Sequence, residues 1–585
     1  MNLPPKFPDR SLSLIAAIVI VWSCCVALYA QGSKPAPLPT QAKTESRERS
    51  TGSISGMVSD DGGHPILNAN VMISPMGTLN AVSKTESTDE NGKFSVRDLV
   101  IGAYRISIQA PAYVQSDEET HGPDGLPKFY RTGEDVNFTL EKGGVLTGTV
   151  TDPSGVPLVG IGVTAIRIRQ PEETNFPNDS LAGVSRMTDD RGIYRIYGLR
   201  AGKYLVFAGS GRNFSPRPGP FDRDSPTYYP NSTRDTASVV VVQNGQETPG
   251  IDIRYRGDRG FTISGTLTGV IEKFALLSLT LPGSSTPIGT AFSREEDGRN
   301  AFAFPNVPNG DYKIIAYSND DKSGRASSGT MNVSIKNGDV EGMVVALRPL
   351  SSITGRIVLT TPFEPKCGTG STTGVEQTVV SAQSEKNLPE NMFANRMSNA
   401  GADIGGMFII RRLSAGNYRL RTSLPSTDWY IRSIERQPAS KTANPAEAVT
   451  LSGGENLSGL SIALANGAGS VEGHVAGYQS ADQASFRHIY LVPNEKDRSD
   501  DTLRFSEMPV ATDGTFSFRN LAPGRYFLVS RIVKETENIR PVYWDAKARS
   551  SLVAEAAASG LAVEVKPCQS IKELELKLGP NGIIK

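Results

Sequence analysis

Residue types able to do chemistry are few in this chain, and their spacing suits chemistry poorly. The histidines are His64, His121, His474 and His488. A zinc hydrolase sets two histidines one helical turn apart with a glutamate beside them. No His-Glu-x-x-His occurs, nor a His-x-x-Glu with a distant histidine partner. His474 and His488 share one stretch, but His474 alternates within a strand-like run, so the pair reads as exposed or edge-strand side chains. No Gly-x-Ser-x-Gly elbow or phosphate-cradling glycine loop is present, and Ser-x-x-Lys signatures lack their companion motifs. Asp89-Glu90-Asn91, Asp189-Asp190 and Asn319-Asp320-Asp321 offer hard oxygens, yet none has the spacing of a calcium loop. They read as turn chemistry. No catalytic residue, metal or cofactor is expected.

Aromatic pairs are the remaining candidates. Phe129-Tyr130, Tyr228-Tyr229-Pro230, Trp429-Tyr430 and Tyr543-Trp544 each stand in a loop after a Gly-x-Tyr strand. Exposed rings stack on sugars, and loops at the ends of a rigid scaffold are where binding function concentrates. Tyr130, Tyr228, Tyr229, Trp429, Tyr430, Tyr543 and Trp544 are therefore the candidate binding residues. The competing reading is that these rings pin long loops onto their own modules.

What must position them is a phrase that recurs about every hundred residues. It reads Asp89-Glu90-Asn91-Gly92-Lys93-Phe94, then Leu99, Gly102 and Tyr104. Later forms run Asp189 to Gly192 and Tyr194, then Leu199, Gly202 and Tyr204; and Asp297-Gly298, then Val307, Gly310 and Tyr312. The last two are Gly405-Gly406-Met407-Phe408, then Leu413, Gly416 and Tyr418; and Asp513-Gly514-Thr515-Phe516, then Leu521, Gly524 and Tyr526. Asn91-Gly92 and Asp513-Gly514 supply residues that accept positive φ, as type I′ hairpins demand. Alternation such as Phe94-Ser95-Val96 then places one face inward. A tyrosine two residues after each corner glycine reads as a sandwich-corner anchor acting through its hydroxyl.

Each copy opens on a short strand with a central glycine, as in Ile54-Ser55-Gly56-Met57-Val58, marking a bulge or a close backbone contact. Each ends on an alternating strand such as Val136 to Leu140, and only a few residues separate it from the next opening. Linkers that short imply a semi-rigid rod. One helix is expected, over residues 546–558, before the last strand.

The succession Ile-x-Gly-x-Val, Asp-x-x-Gly-x-Phe, Leu-x-x-Gly-x-Tyr and a terminal alternating strand resembles the carboxypeptidase regulatory-like (transthyretin-like) domain. The match is clearest in the first copy, close in the second and fifth, and degenerate in the third and fourth. The resemblance implies a prealbumin-like or immunoglobulin-like sandwich, common on exported bacterial proteins and grouped with carbohydrate-binding-like folds. In metallocarboxypeptidases the domain accompanies a catalytic unit, and no such unit is recognisable here.

The expected fold is all-β: about five seven-stranded antiparallel sandwiches over residues 52–142, 143–258, 259–350, 351–466 and 467–580. Gly (58) and Pro (38) in 585 residues suit short strands and tight turns. Lys+Arg and Asp+Glu both number 61, so nothing recruits nucleic acid or anionic lipid. Residues 1–30 resemble an export segment, with Lys6 and Arg10 ahead of an uncharged run from Ser11 to Ala30. Cleaved signal, uncleaved anchor and lipoprotein all remain open, and each puts the modules outside the cytoplasm, in periplasm, on the surface or secreted. Residues 31–51 read as a flexible linker. Cys367 and Cys568 fall in different repeats; two free or buried thiols are the expected reading, with a disulfide as the alternative, since pairing requires those repeats to touch. Together these features predict an exported, non-enzymatic array binding a carbohydrate or envelope polymer. The alternative is a structural rod that contacts other proteins.

Overall fold

The computed structural model describes residues 51–76, 82–122, 127–168, 184–209, 221, 224–282, 287–320, 323–360, 367, 374–385, 397–437, 444–446, 448–476, 478, 485–534 and 541–577. The expected export segment, and the linker up to residue 50, lie outside them. Among the described residues no helix is long and apolar enough to cross a membrane.

Hydrogen-bonded strands fall into five successive groups, over residues 51–142, 144–254, 261–349, 351–466 and 469–576. Alternation decides which side of each strand goes in. Thr51–Asp60 buries Ile54, Gly56 and Val58 and turns its other side outward. Counting strands within each group, the first and fourth share one topology, with sheets ordered 4-1-8-6 and 3-2-5-7. The fourth copy, expected to be degenerate, thus folds like the clearest one. The third departs. Its strand Arg325–Ile335 pairs along the whole of Gly310–Asp320 and then meets Val340–Pro349, joining both layers into one eight-stranded sheet. Seven strands are met in the fifth group, while the others add short strands such as Tyr113–Gln115 and Tyr130–Arg131.

Neighbouring strands are antiparallel except along one seam per group. The opening strand lies beside the closing strand and runs parallel to it in all five. The opening glycine sits at this seam. A Cβ on Gly56 would stand 1.8 Å from the Val136 carbonyl oxygen, and one on Gly473 would stand 2.1 Å from that of Leu574. Close backbone approach, with an aromatic ring packed over it, is what the position requires.

The hairpin turns differ from the type I′ expectation. Asp89 N–H donates to the Lys93 carbonyl and Gly92 N–H to the Asp89 carbonyl, and only Gly92 has positive φ (71°). This is a three-residue loop with a glycine bulge, and Asn91 keeps negative φ. Asp189 and Asp403 open the same turn ahead of Gly192 and Gly406, and Ala511 opens it ahead of Gly514. The two-residue turn with both φ positive occurs at Asp297 (50°) and Gly298 (73°), in the third copy.

Five buried tyrosines close the corners identically. Each hydroxyl donates to the carbonyl four residues upstream: Tyr104 to Val100, Tyr204 to Arg200, Tyr312 to Pro308, Tyr418 to Ser414 and Tyr526 to Ala522, at 2.6–2.9 Å. The corner glycines Gly202, Gly310, Gly416 and Gly524 hold φ of 147–156°, whereas Gly102 does not. A helix spans Ala546–Ser559, with the Asp545 carboxylate accepting from Ala548 N–H, and two further strands follow it.

Candidate functional site at the module junctions

The aromatic loops converge on contacts between modules, and they do so with arginines and an asparagine as partners. Phe129 is buried with Ala103 of the first module and Val379 of the fourth. Beside it, Arg131 Nη1 donates to the Phe129 carbonyl (2.9 Å). Its Nη2 donates to Ser423 Oγ (2.7 Å) and the Leu424 carbonyl (2.6 Å). Burial pushes the Arg131 guanidinium below its ordinary pKa, and Glu134 pulls it back up. A charge desolvated in this way is held by the bonds of its two terminal nitrogens, while its Nε is buried without a partner.

Tyr228 lies at the boundary of modules two and three and is 1% exposed. Its ring packs 5.0 Å from Phe207, and both join one apolar cluster with Leu279, Phe304 and Tyr312 of the third module. Tyr228 therefore offers no face to a sugar, which corrects its reading as an exposed platform. Tyr229 packs against the core of the second module. Tyr130 stays within the first module, edge-on to Phe138 at 5.4 Å. Tyr430 is half-buried in the strand Trp429–Arg436.

The fourth and fifth modules meet through the last two candidate loops. Asn520 Nδ2 donates to the carbonyls of Ser426 and Trp429, both at 2.8 Å. Arg419 Nη2 donates to the Trp544 carbonyl at 2.7 Å, with its guanidinium 5.3 Å from the Trp544 ring centre. Tyr543 stacks on Phe505 of its own module at 5.7 Å. Leu503 of the fifth module packs against the core of the fourth. Cys367 and Cys568 form a disulfide across this boundary, with Cα atoms 5.2 Å apart. The free-thiol expectation is overturned because the two modules do touch.

The polar candidates for chemistry are consumed locally. Asp89 Oδ1 accepts from the N–H groups of Asn91 and Lys93, and Asp189 Oδ1 from those of Arg191 and Ile193. The Ile193 bond leads in holding the Asp189 carboxyl below its usual range. His64 faces the Asp60 carboxylate at 3.1 Å. Neither His474 nor His488 is on an edge strand, since each strand pairs on both sides. His488 is 3% exposed, and burial lowers its pKa to about 4. Among the described residues no group of His, Cys, Asp and Glu is placed to hold a metal.

Residues 53–140 match the family model of the carboxypeptidase regulatory-like domain. The first module is a carboxypeptidase regulatory-like domain. The later modules repeat the seam glycine and corner tyrosine of this regulatory-like domain, and the second, fourth and fifth also its turn, without being covered by that match. No curated protein matches the chain. Among solved structures, it is similar to GBS52, the minor pilin of Streptococcus agalactiae. Identity is 13% over 35% of this chain and 96% of that one, at a TM-score of 0.19. The Bacillus anthracis TIE protein is 10% identical over 92% of this chain and 76% of that one, at 0.14. BcpA, the major pilin subunit of Bacillus cereus, is 11% identical over 51% and 99%, at 0.11. Likeness at this level carries no statement about function or module arrangement.

Arg131, Arg419 and Asn520 were not legible as junction residues. A charged residue on the outer side of a strand reads as solvated, and no local pattern says that another module covers it.

Proposed function

We propose that this chain is an exported, non-enzymatic structural protein that holds its β-modules in a fixed arrangement for contact with other proteins outside the cytoplasm. The observation that carries the reading is the use made of the aromatic loops. Phe129, Tyr228, Trp429 and Trp544, or the backbone they stand on, are taken up by neighbouring modules. Loops that a sugar-binding array would leave open serve here as fastenings. A disulfide across one junction supports placement in an oxidising compartment. Reading the chain as five domains with the boundaries expected above is part of this proposal.

The carbohydrate reading keeps the rings of Tyr229 and Tyr430 as its remaining surface and becomes the rival outcome of the test. Purified protein is passed over a broad panel of envelope polysaccharides, and photo-crosslinking residues are placed at the exposed Phe292 and Val241 in producing cells. Discrete protein adducts with no polysaccharide retention are expected. Retention on polysaccharide that is lost in a Tyr229→Ala, Tyr430→Ala variant would reverse the reading.

A further inference from the structure

The entry of the chain into module one and its exit from module four stand on either side of a single contact. At the entry, in the strand Thr51–Asp60, the Ser53 carbonyl accepts from Gly133 N–H at 2.7 Å. Gly133 follows by two residues Arg131, which reaches module four at Ser423 and Leu424. The exit is gathered onto the segment Leu424 to Trp429. Its Asp428 carbonyl accepts from Gly467 N–H at 2.9 Å and from Ala468 N–H at 3.0 Å, both in the link to module five. The carbonyls of Ser426 and Trp429 accept from Asn520 of module five. The link is also splinted. Cys367 N–H donates to Asn466 Oδ1 and Cys568 N–H to the Gly467 carbonyl, each at 3.2 Å, and the disulfide joins the two cysteines.

A short route through folded structure therefore runs from Ser53 by way of Arg131 and Leu424 to Gly467. The covalent chain between Arg131 and Leu424 is 293 positions long, and modules two and three lie wholly within it. Tension follows the stiffer connection for as long as that connection holds. Among the described residues the contact of modules one and four is narrow. Arg131 gives it two hydrogen bonds, and Ala103, Phe129 and Val379 bury one small apolar group. Inside a module the connections are far longer, as in module three, where Gly310–Asp320 pairs with Arg325–Ile335 along its whole length. A contact between modules opens more readily than such a ladder. The junction gives way first.

We propose that the Arg131 contact is a mechanical clasp: it carries tension between residue 51 and module five past modules two and three, and on breaking it releases them as slack. The proposal rests on the reading of the chain as a structural protein and gives it a further role, that of a link which lengthens before any module unfolds. Two folded modules with strands of about ten residues add roughly 50–100 Å when drawn into line. Unfolding about a hundred residues adds roughly 300 Å, so the two kinds of step are distinct in size. Modules two and three keep the halves of the clasp tethered, which holds their effective concentration high and lets the contact close again when tension falls. The Cys367–Cys568 bridge keeps the chain between those residues out of line, so later large steps come from modules one to three.

The test stretches the oxidised full chain in optical tweezers from handles at residues 51 and 577. The first event expected is a step of roughly 50–100 Å that reverses on relaxation, followed by module-sized steps. In an Arg131→Ala variant that first step should vanish or fall to less than half its force, while the module-sized steps keep theirs. A wild-type trace whose first event is module-sized would overturn the proposal. So would a first step that Arg131→Ala leaves at the same force. If that variant does not fold, Val379→Ala, on the other side of the contact, takes its place with the same expectation. Retention on polysaccharide would remove the structural reading without altering the trace. A trace without the short step would remove the clasp without bearing on retention.

Discussion

Arg131 donates to the backbone carbonyl of Leu424, a residue 293 positions further along the chain. The contact joins the first module to the fourth, which the sequential order of modules does not require. Short linkers alone imply a rod in which each module touches only its neighbours. The pairing of first with fourth corrects that expectation, because the side chains that make it lie on outward strand faces and not in linkers.

Replacing Arg131 by Ala should therefore loosen a contact between distant modules without disturbing either core. Loss of charge-assisted bonds to Ser423 and Leu424 is expected to cost about 2–3 kcal/mol. Differential scanning calorimetry should show an earlier first transition with later ones unmoved. Arg131→Lys should restore little of it, because an ammonium lacks the planar fork that reaches both acceptors.

The corner tyrosines give a prediction about stability alone. Tyr312→Phe removes a hydroxyl that donates to the Pro308 carbonyl at 2.9 Å and leaves the ring in place. A loss of about 1 kcal/mol, read by chemical denaturation, is expected. Loss of several kcal/mol would mean that the hydroxyl does more than anchor the corner.

Gly56→Ala should be far worse than its size suggests. The added methyl would meet the Val136 carbonyl oxygen of the parallel closing strand, and backbone cannot move aside as a side chain can. An overpacking cost of about 3 kcal/mol is expected, confined to the first module. Limited proteolysis would register this as selective cleavage within residues 51–142.

The buried His488 should make the fifth module less stable as pH falls. The His488 pKa is depressed to about 4 by burial, so its contribution is present above the ordinary value of 6.5 and is lost as pH falls through 4. On the order of 2–3 kcal/mol is at stake for the fifth module. His488→Phe should flatten the fall in that module's melting temperature between pH 7 and 4. An unchanged slope would show that the ring takes up its proton equally in the folded and unfolded states.

The fold was legible in the sequence to the extent that it is local. Gly92, Gly202 and Tyr104 announce turns and corners because backbone sterics at those points depend on a few residues. The Asn91 and Asp513 turns were misread because dipeptide chemistry alone does not reveal loop length, which the cross-strand register sets. The parallel seam at Gly56 and the Cys367–Cys568 bridge were not legible either. Both depend on which distant strands become neighbours, and no nearby residue encodes that. The candidate rings were found, but their partners were not, since Arg419 and Asn520 look like any solvated side chain until a second module is placed over them.

Parallel pairing of the first and last strands also has a consequence for how such chains can be enlarged or rearranged. The ends of a module emerge at opposite extremities of one seam, a strand's length of about 25 Å apart for eight residues. A further copy can be appended to either terminus with a link of a few residues, because no existing thread has to be rerouted. Joining a module's own ends to make a circular permutant would need a bridge of roughly eight extended residues. Growth by duplication is therefore easy for this architecture, and permutation is not.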